Sequence, residues 1–445
     1  MEGKPWKGIL SFTMPVMLGL LLQYLYNTVD TIIVGNFTGE LALSAVGTTT
    51  CMGMIFQAIS GGFSVGAGIV IAQLFGAKRF KEMRENASTA IVMSVGLGVL
   101  SLVIGCAFCR PFLAGPLGVS GEMLDMSVVY FRAFCVGILF QFGYDIAASI
   151  LRGVGDSKAS LYFLLISSII NVVLDLLFVG TFHMGVLGAG VATAIAQCAS
   201  AAAGFVYMYK RYDDFNFGIR ELRFNPALVG GILKEGVPVI MQRLLITLAQ
   251  IFMQRLVNSY GVAMTAAYSV GQKLENYIEL FTVSMSTTMA TYAGQNFGAG
   301  RKDRLRLGVR HAIALSLGGT AILAAAGYIL SPNVVQWFGL SDQAAVYCTA
   351  FSRTLCLATV VLSSYCPLQG FFQGIGHGFT ATLVASIAQG TRVIAAYIMH
   401  TIPSINYSAI WLNFYVGFSL ASCMAWIRFA QISRSWRKEE RETGK

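Results

Sequence analysis

Charge is what this chain has least of. Asp, Glu, Lys and Arg together make up 12% of its 445 residues, against 56% hydrophobic, whereas a soluble domain carries roughly 25% charged residues. Too few charges remain to cover a water-facing surface, so a soluble globular class is excluded and a bilayer is the fitting solvent. The ten-residue alternating segments of a spanning β-barrel are absent as well. Histidine is scarce. The four present (His183, His311, His377 and His400) are scattered at or near helix ends. There is no H-E-x-x-H metal motif and no catalytic His–carboxylate pair. A membrane-embedded enzyme is therefore the least favoured class, and no catalytic residue is assigned. The lack of a Walker A sequence argues against an ATP-driven pump. All nine cysteines lie in or at the ends of apolar runs. Cys106-x-x-Cys109 has no second pair and reads as coincidence, not a redox or zinc site.

What is present is a series of long apolar runs. A spanning helix needs about 20 mostly apolar residues. Such runs fall near 9–33, 44–75, 89–113, 128–151, 159–181 and 186–208, and again near 232–257, 264–296, 309–331, 345–371, 378–401 and 406–430. The first follows a short polar start without a small-residue cleavage site and contains Gln23, Asn27 and Asp30, so it is expected to be a retained helix rather than a signal peptide. The fold class predicted is all-α: 12 transmembrane helices in two bundles of six.

The net charge of +10 raises nucleic acid as a partner, but its distribution answers otherwise. Lys and Arg gather in alternate loops: Lys78, Arg79, Lys81 and Arg84; Arg152 and Lys158; Lys210, Arg211, Arg220, Arg223 and Lys234; Arg301, Lys302, Arg304, Arg306 and Arg310. The intervening loops, 35–43, 182–187, 258–263, 332–344 and 402–408, have none, and only Arg110 clearly departs. This is the positive-inside bias. It predicts a bacterial cytoplasmic (inner) membrane protein with both termini in the cytoplasm and no nucleic-acid partner.

The two halves repeat each other. Pro15-Val16-Met17 matches Pro238-Val239-Ile240 at an offset of 223, and Gln73-x-Phe75-Gly76-Ala77 matches Gln295-x-Phe297-Gly298-Ala299 at 222. Arg132 matches Arg353, and Gly153-x-Gly155 matches Gly374-x-Gly376, both at 221. Shared membrane composition does not explain a nearly fixed offset; a duplication does. Six spans per half make the repeats parallel, with sites expected near the midplane. The division predicted is an N-terminal lobe, 1–208, a linker, 209–231, a C-terminal lobe, 232–430, and a tail, 431–445.

Ionisable side chains inside the bilayer each cost about 2.5–3.5 kcal/mol on insertion scales and need a partner or a purpose. Asp30 lies in span 1 and Asp175 deep in span 5. Asn171 precedes Asp175 by one helical turn, so the two share a face. Thr193 in span 6 offers a hydroxyl and Asp145 in span 4 a further carboxyl. Oxygen ligands of this kind suit Na+, and two carboxyls that share a buried space can instead hold a proton. Either ion would compete with a cationic substrate. Hydrogen bonding between helices is the plainer use of such groups, weighed against the number of carboxylates in one half.

In span 8, Glu275 and Glu279 share a face and Lys273 is expected to neutralise one of them; Glu279 is the better candidate substrate contact. Arg392 is either a structural charge or a substrate contact. Gln23, Tyr24 and Tyr144 are candidate cavity residues. Pro15 removes a backbone hydrogen bond and permits a kink.

With Pro15 and Asp30 fifteen residues apart, Gln73-Leu-Phe-Gly-Ala, Leu151-Arg152-Gly153-Val-Gly155-Asp156, Asn171-Val-Val-Leu-Asp175 and Gln295-Asn296-Phe-Gly298-Ala299 in this order, the chain resembles the multidrug and toxic compound extrusion (MATE) family over its length. The resemblance implies a V-shaped antiporter that expels amphipathic organic cations in exchange for Na+ or H+, with no other cofactor, acting as a monomer in the lipid bilayer. It implies that Asp30, Asn171, Asp175 and Thr193 form the ion site, holding Na+ if sodium is the coupling ion, and that Pro15 serves as a hinge. The family more often has Asn at the position of Asp145, and its other site uses a span-7 glutamate that is absent here, where Gln242, Ile246 and Gln250 stand. A lipid-linked saccharide flippase of the same broad superfamily is the alternative; the acidic N-terminal lobe argues for cations.

Overall fold

A computed structural model of the chain describes residues 3–116, 118–215 and 222–443, without the side chains at 31, 32, 34–36, 39–43, 51 and 443. Arg220, one of the loop cations above, lies outside the described residues. Twelve α-helices account for most of the fold: α1 (Pro5–Gly76), α2 (Phe80–Ala114), α3 (Gly121–Val154), α4 (Ser157–Asp175), α5 (Gly185–Arg211), α6 (Pro226–Asn258), α7 (Val262–Ile278), α8 (Leu280–Gly298), α9 (Lys302–Gln336), α10 (Asp342–Gly374), α11 (Gly378–His400) and α12 (Ala409–Thr443). Among the described residues there is no strand.

Eleven stretches are long and apolar enough to cross a bilayer, and this is a multi-pass membrane protein. α1 supplies two of them, Pro5–Asp30 and Met52–Gly76. The helix is continuous between them, through residues 35–43, where the sequence predicts a loop. That stretch holds no proline. Its two glycines cost about 1 kcal/mol each relative to alanine, too little alone to end a helix. The remaining expected span, 264–296, is present as α7 and α8, which meet at Glu279 with its backbone still in the right-handed helical region. α5 reaches Arg211 and α6 begins at Pro226, so the predicted linker is helical at both ends. α12 likewise continues through most of the predicted tail. Its end is anchored by Trp436, buried edge-on against Phe371, and by Glu440, which accepts a forked pair of hydrogen bonds from Arg306.

The repeat extends to backbone detail. After α1, the Ala77 amide donates to Gln73 and the Arg79 amide to Leu74. After α8, Ala299 donates to Gln295 and Arg301 to Asn296. The turn after α3 closes through Gly155 to Arg152 and Asp156 to Leu151. Its counterpart after α10 closes through Gly376 to Gln373 and His377 to Phe372. Both turns place a glycine at positive φ, 103° and 81°, a conformation that costs glycine little.

Two compact units result, and they are not separated at the linker alone. One comprises Leu18–Ile240; the other comprises the chain up to Met17 and from Met241 onward. Each unit therefore contains the opening turns of the other half's first helix. In the second unit, Ile9 is buried in the core around Met289 and Phe371, and Thr13 donates to Thr288 Oγ1 at 2.9 Å. In the first, α6 passes so close to α1 that a Cβ on Gly66 would stand 2.3 Å from the Gly236 Cα. Thr13 and Gly236 are repeat partners, and so are Thr288 and Gly66. The same crossing is thus made twice, once by hydroxyls and once by bare backbone. Thr13→Val should cost about 1 kcal/mol, the net worth of one hydrogen bond, and lower the melting temperature of the detergent-purified protein. An unchanged melting curve would show that the hydroxyl pair does not hold α1.

Candidate functional site

The site in the Leu18–Ile240 unit begins with α4. Asn171 and Asp175 lie one turn apart and are almost fully buried, at 2% and 0% exposure. α4 ends as an α-helix at Asp175 and continues as a π-helical turn, Leu176–Thr181. Such wide turns are rare and frequently mark functional positions. α5 brings Thr193 alongside: its hydroxyl donates to the Ala189 carbonyl at 3.0 Å and accepts from Asn171 Nδ2 at 3.5 Å. α1 delivers Asp30, whose carboxyl faces that of Asp175 closely enough to interact directly. The structure therefore brings all four predicted ion-site residues together.

The chemistry of this place follows from its oxygens. Asp30 Oδ1, Asn171 Oδ1 and both carboxyl oxygens of Asp175 are buried without a hydrogen-bond partner. Buried polar atoms are normally paired, and each one left unpaired costs about 1–3 kcal/mol. Two facing carboxylates add mutual repulsion. A bound proton, or a cation with oxygen preference, removes both penalties. Among the described residues no three His, Cys, Asp or Glu side chains are gathered for a metal ion, so the donor set is two carboxylates, an amide and a hydroxyl. That set fits Na+ and fits H+.

Two residues missed by the sequence reading belong here. The Tyr26 and Tyr130 phenols lie within electrostatic reach of both Asp30 and Asp175. Tyr26 stands one turn before Asp30, so the i, i+4 rule that paired Asn171 with Asp175 would have found it. Tyr130 has no such signal; it arrives from α3.

Asp145 has a separate environment. It accepts a hydrogen bond from Ser60 at 2.7 Å, with the Arg152 guanidinium within electrostatic reach. Its charge is thus balanced by an arginine two turns along α3. Tyr144 donates to the Ser160 carbonyl at 3.4 Å. Gln23 and Tyr24 are half-buried on α1, about two turns before Asp30, and Pro15 lies within α1 just ahead of the passage between units. Gly62-Phe63-Ser64-Val65-Gly66 spells the nucleophile string G-x-S-x-G, but it lies inside α1 with Ser64 1% exposed. It lacks the strand-to-helix elbow that gives the string its meaning.

In the other unit, Lys273 is exposed. The cation within reach of both Glu275 and Glu279 is Arg392. Arg392 donates from Nε to Asn413 Oδ1 and from Nη1 to Gln389 Oε1, both at 3.1 Å, and lies 3.8 Å above the Phe414 ring. An apolar groove of about 480 Å³ between α3 and α5, lined by Val136, Phe140 and Ile195, holds none of these groups.

The geometry has known counterparts. The MatE family profile matches residues 15–177 and 238–398, one match in each repeat. A probable multidrug resistance protein of Bacillus subtilis, YoeA, is 26% identical over 99% of this chain and 96% of its own length. The multidrug export protein MepA of Staphylococcus aureus is 26% identical over 91% of this chain and 89% of its own. A solved multidrug resistance MATE family transporter of the MOP superfamily, in an outward-facing conformation, superposes with a TM-score of 0.92 at 23% identity. That superposition covers 98% of this chain and 97% of that one. Matched in both repeats and folded alike from end to end, this chain belongs to the MatE family, whose members are transporters and not enzymes.

Proposed function

We propose that this protein is a secondary active multidrug exporter that expels amphipathic organic cations in exchange for inward Na+ or H+, working as a monomer. We place it in a bacterial inner membrane with both termini in the cytoplasm, as the loop charges indicate. The observation that carries the coupling is the Asp30–Asp175 pair: buried, mutually facing, and short of hydrogen-bond donors. The names of its relatives, which include a multidrug export protein, support the cargo.

Coupling follows from the path of α1. Its first turns pack in one unit, while Asp30, further along the same helix, belongs to the other. An ion that draws Asp30 and Asp175 together biases the course of α1, and with Pro15 between the two ends the helix can bend. A ligand shifts such an equilibrium only by its differential affinity for the two states. An ion that binds one state of α1 and a cation that binds the other would alternate.

The test is reconstitution into proteoliposomes with separately imposed Na+ and H+ gradients, following ethidium flux. One gradient should drive flux and the other should not. Flux indifferent to both would refute antiport.

A further inference from the structure

The repeat sets Asn171 against Arg392 and Thr193 against Phe414, both at an offset of 221. In the first unit the pair is joined by a hydrogen bond. In the second the guanidinium stacks on the aromatic face at 3.8 Å. Where the first unit has an amide suited to an exchangeable cation, the second therefore has a permanent one, since arginine does not deprotonate in proteins.

This cation is held apart from its counter-charges. Glu275 and Glu279 are near enough to feel Arg392, yet neither forms an ion pair with it among the described residues. Neutral amides take two of its five N–H groups: Asn413, fully buried and itself fixed by bonds to Ala409 and Ile410, and Gln389. A Cβ on Gly417 would stand 2.1 Å from Arg392 Cγ, so the stem is seated tightly too. Arg392 as a residue is half-buried, and its remaining N–H groups make no hydrogen bond among the described residues. Glu279 stands where α7 meets α8, its amide bonded back to the Glu275 carbonyl at 2.9 Å and its carbonyl accepting from Val283 at 3.0 Å, so the two glutamates are held one helical turn apart. Two carboxyls and a guanidinium thus share one electrostatic neighbourhood, with an aromatic ring against the guanidinium.

We propose that Glu275, Glu279 and Arg392 form a substrate site for zwitterions, in which the ligand's cationic nitrogen meets the glutamates and its carboxylate meets the guanidinium. This rests on the exporter reading for its transport role and extends it by naming a substrate class. Arginine's planar fork favours a carboxylate, bound through two parallel bonds.

A matched pair of dyes tests it: a rhodamine with a free carboxylate, and its methyl ester, which is cationic only. Binding is read by fluorescence polarisation on the detergent-purified chain. The wild type should prefer the free acid. Arg392→Gln should weaken the free acid about tenfold, roughly what one charge-assisted hydrogen bond contributes, and leave the ester within about twofold. Glu279→Gln should weaken both. Equal affinity of the wild type for the two dyes, or equal loss of both in a monodisperse Arg392→Gln protein, would overturn the site. Should Arg392→Gln not fold, Arg392→Lys keeps the charge, loses the fork, and should fall between. Wild-type protein that shows the preference but moves neither dye under any ion gradient would sink the exporter reading and leave the site standing.

Discussion

Asp175→Asn should abolish gradient-driven flux without destabilising the protein. The substitution keeps the size of the side chain and removes one of the two negative charges that the ion needs. A lost charge-assisted contact alone weakens ion binding by at least about tenfold. Because flux depends on the bound ion, transport in proteoliposomes should fall to the level of protein-free vesicles. Stability should move the other way or not at all. Asp175 is fully buried and neither of its oxygens has a donor. Replacing an uncompensated buried charge by a neutral amide removes a penalty. A melting temperature that holds or rises while transport disappears is thus the expected signature. Asp30→Asn should behave alike, and the double variant should add little, since two carboxyls that share one ion act as a unit. Full flux in either single variant would exclude the pair as the coupling site.

The second large effect is steric. Gly66→Ala should cost about 1–3 kcal/mol, the range for overpacking a tight contact, and Gly66→Val more. A Cβ at Gly66 falls 2.3 Å from both the Cα and the N of Gly236, and backbone cannot step aside as a side chain can. The contact is one-sided. A Cβ on Gly236 finds its nearest neighbour, Phe63 Cα, at 3.5 Å, which is ordinary contact. Gly236→Ala should therefore be nearly neutral. The comparison is made by thermal melting of the two purified variants. Similar costs at both positions would mean that the α1–α6 approach is looser than described.

How much of this was legible beforehand depended on whether a feature is local. The Asn171–Asp175 face follows from helical periodicity, and the turns after α1 and α8 follow from repeated residues. Thr193 was visible as a hydroxyl in span 6, but only the family resemblance tied it to the ion site, because nothing in its spacing points to α4. The junction of α7 and α8 at Glu279 has no sequence sign: neither Gly nor Pro stands in Glu275–Val283. Lys273 was the expected partner of the span-8 glutamates because it is close in the chain, yet it points outward. Arg392, more than a hundred residues later, takes that place. The exchange of opening turns at Met17 and Ile240 is likewise a matter of tertiary contact, although Pro15 and Pro238, just ahead of both passages, were visible as a repeated pair.

That exchange has a consequence for how the protein is made. Domains of a growing chain usually fold in order, each as it leaves the ribosome. Here the unit built mainly from the first half contains the chain as far as Ile240, so it cannot close until the start of α6 has been synthesised. The opening turns of α1 are made first of all, but their binding surface around Thr288 and Met289 is made only after most of the chain. The first helix to enter the membrane thus waits for more than half of the chain before its opening turns find their neighbours. Two halves expressed as separate polypeptides, cut at the linker, would each lack the segment that completes it and would have to intertwine to become whole.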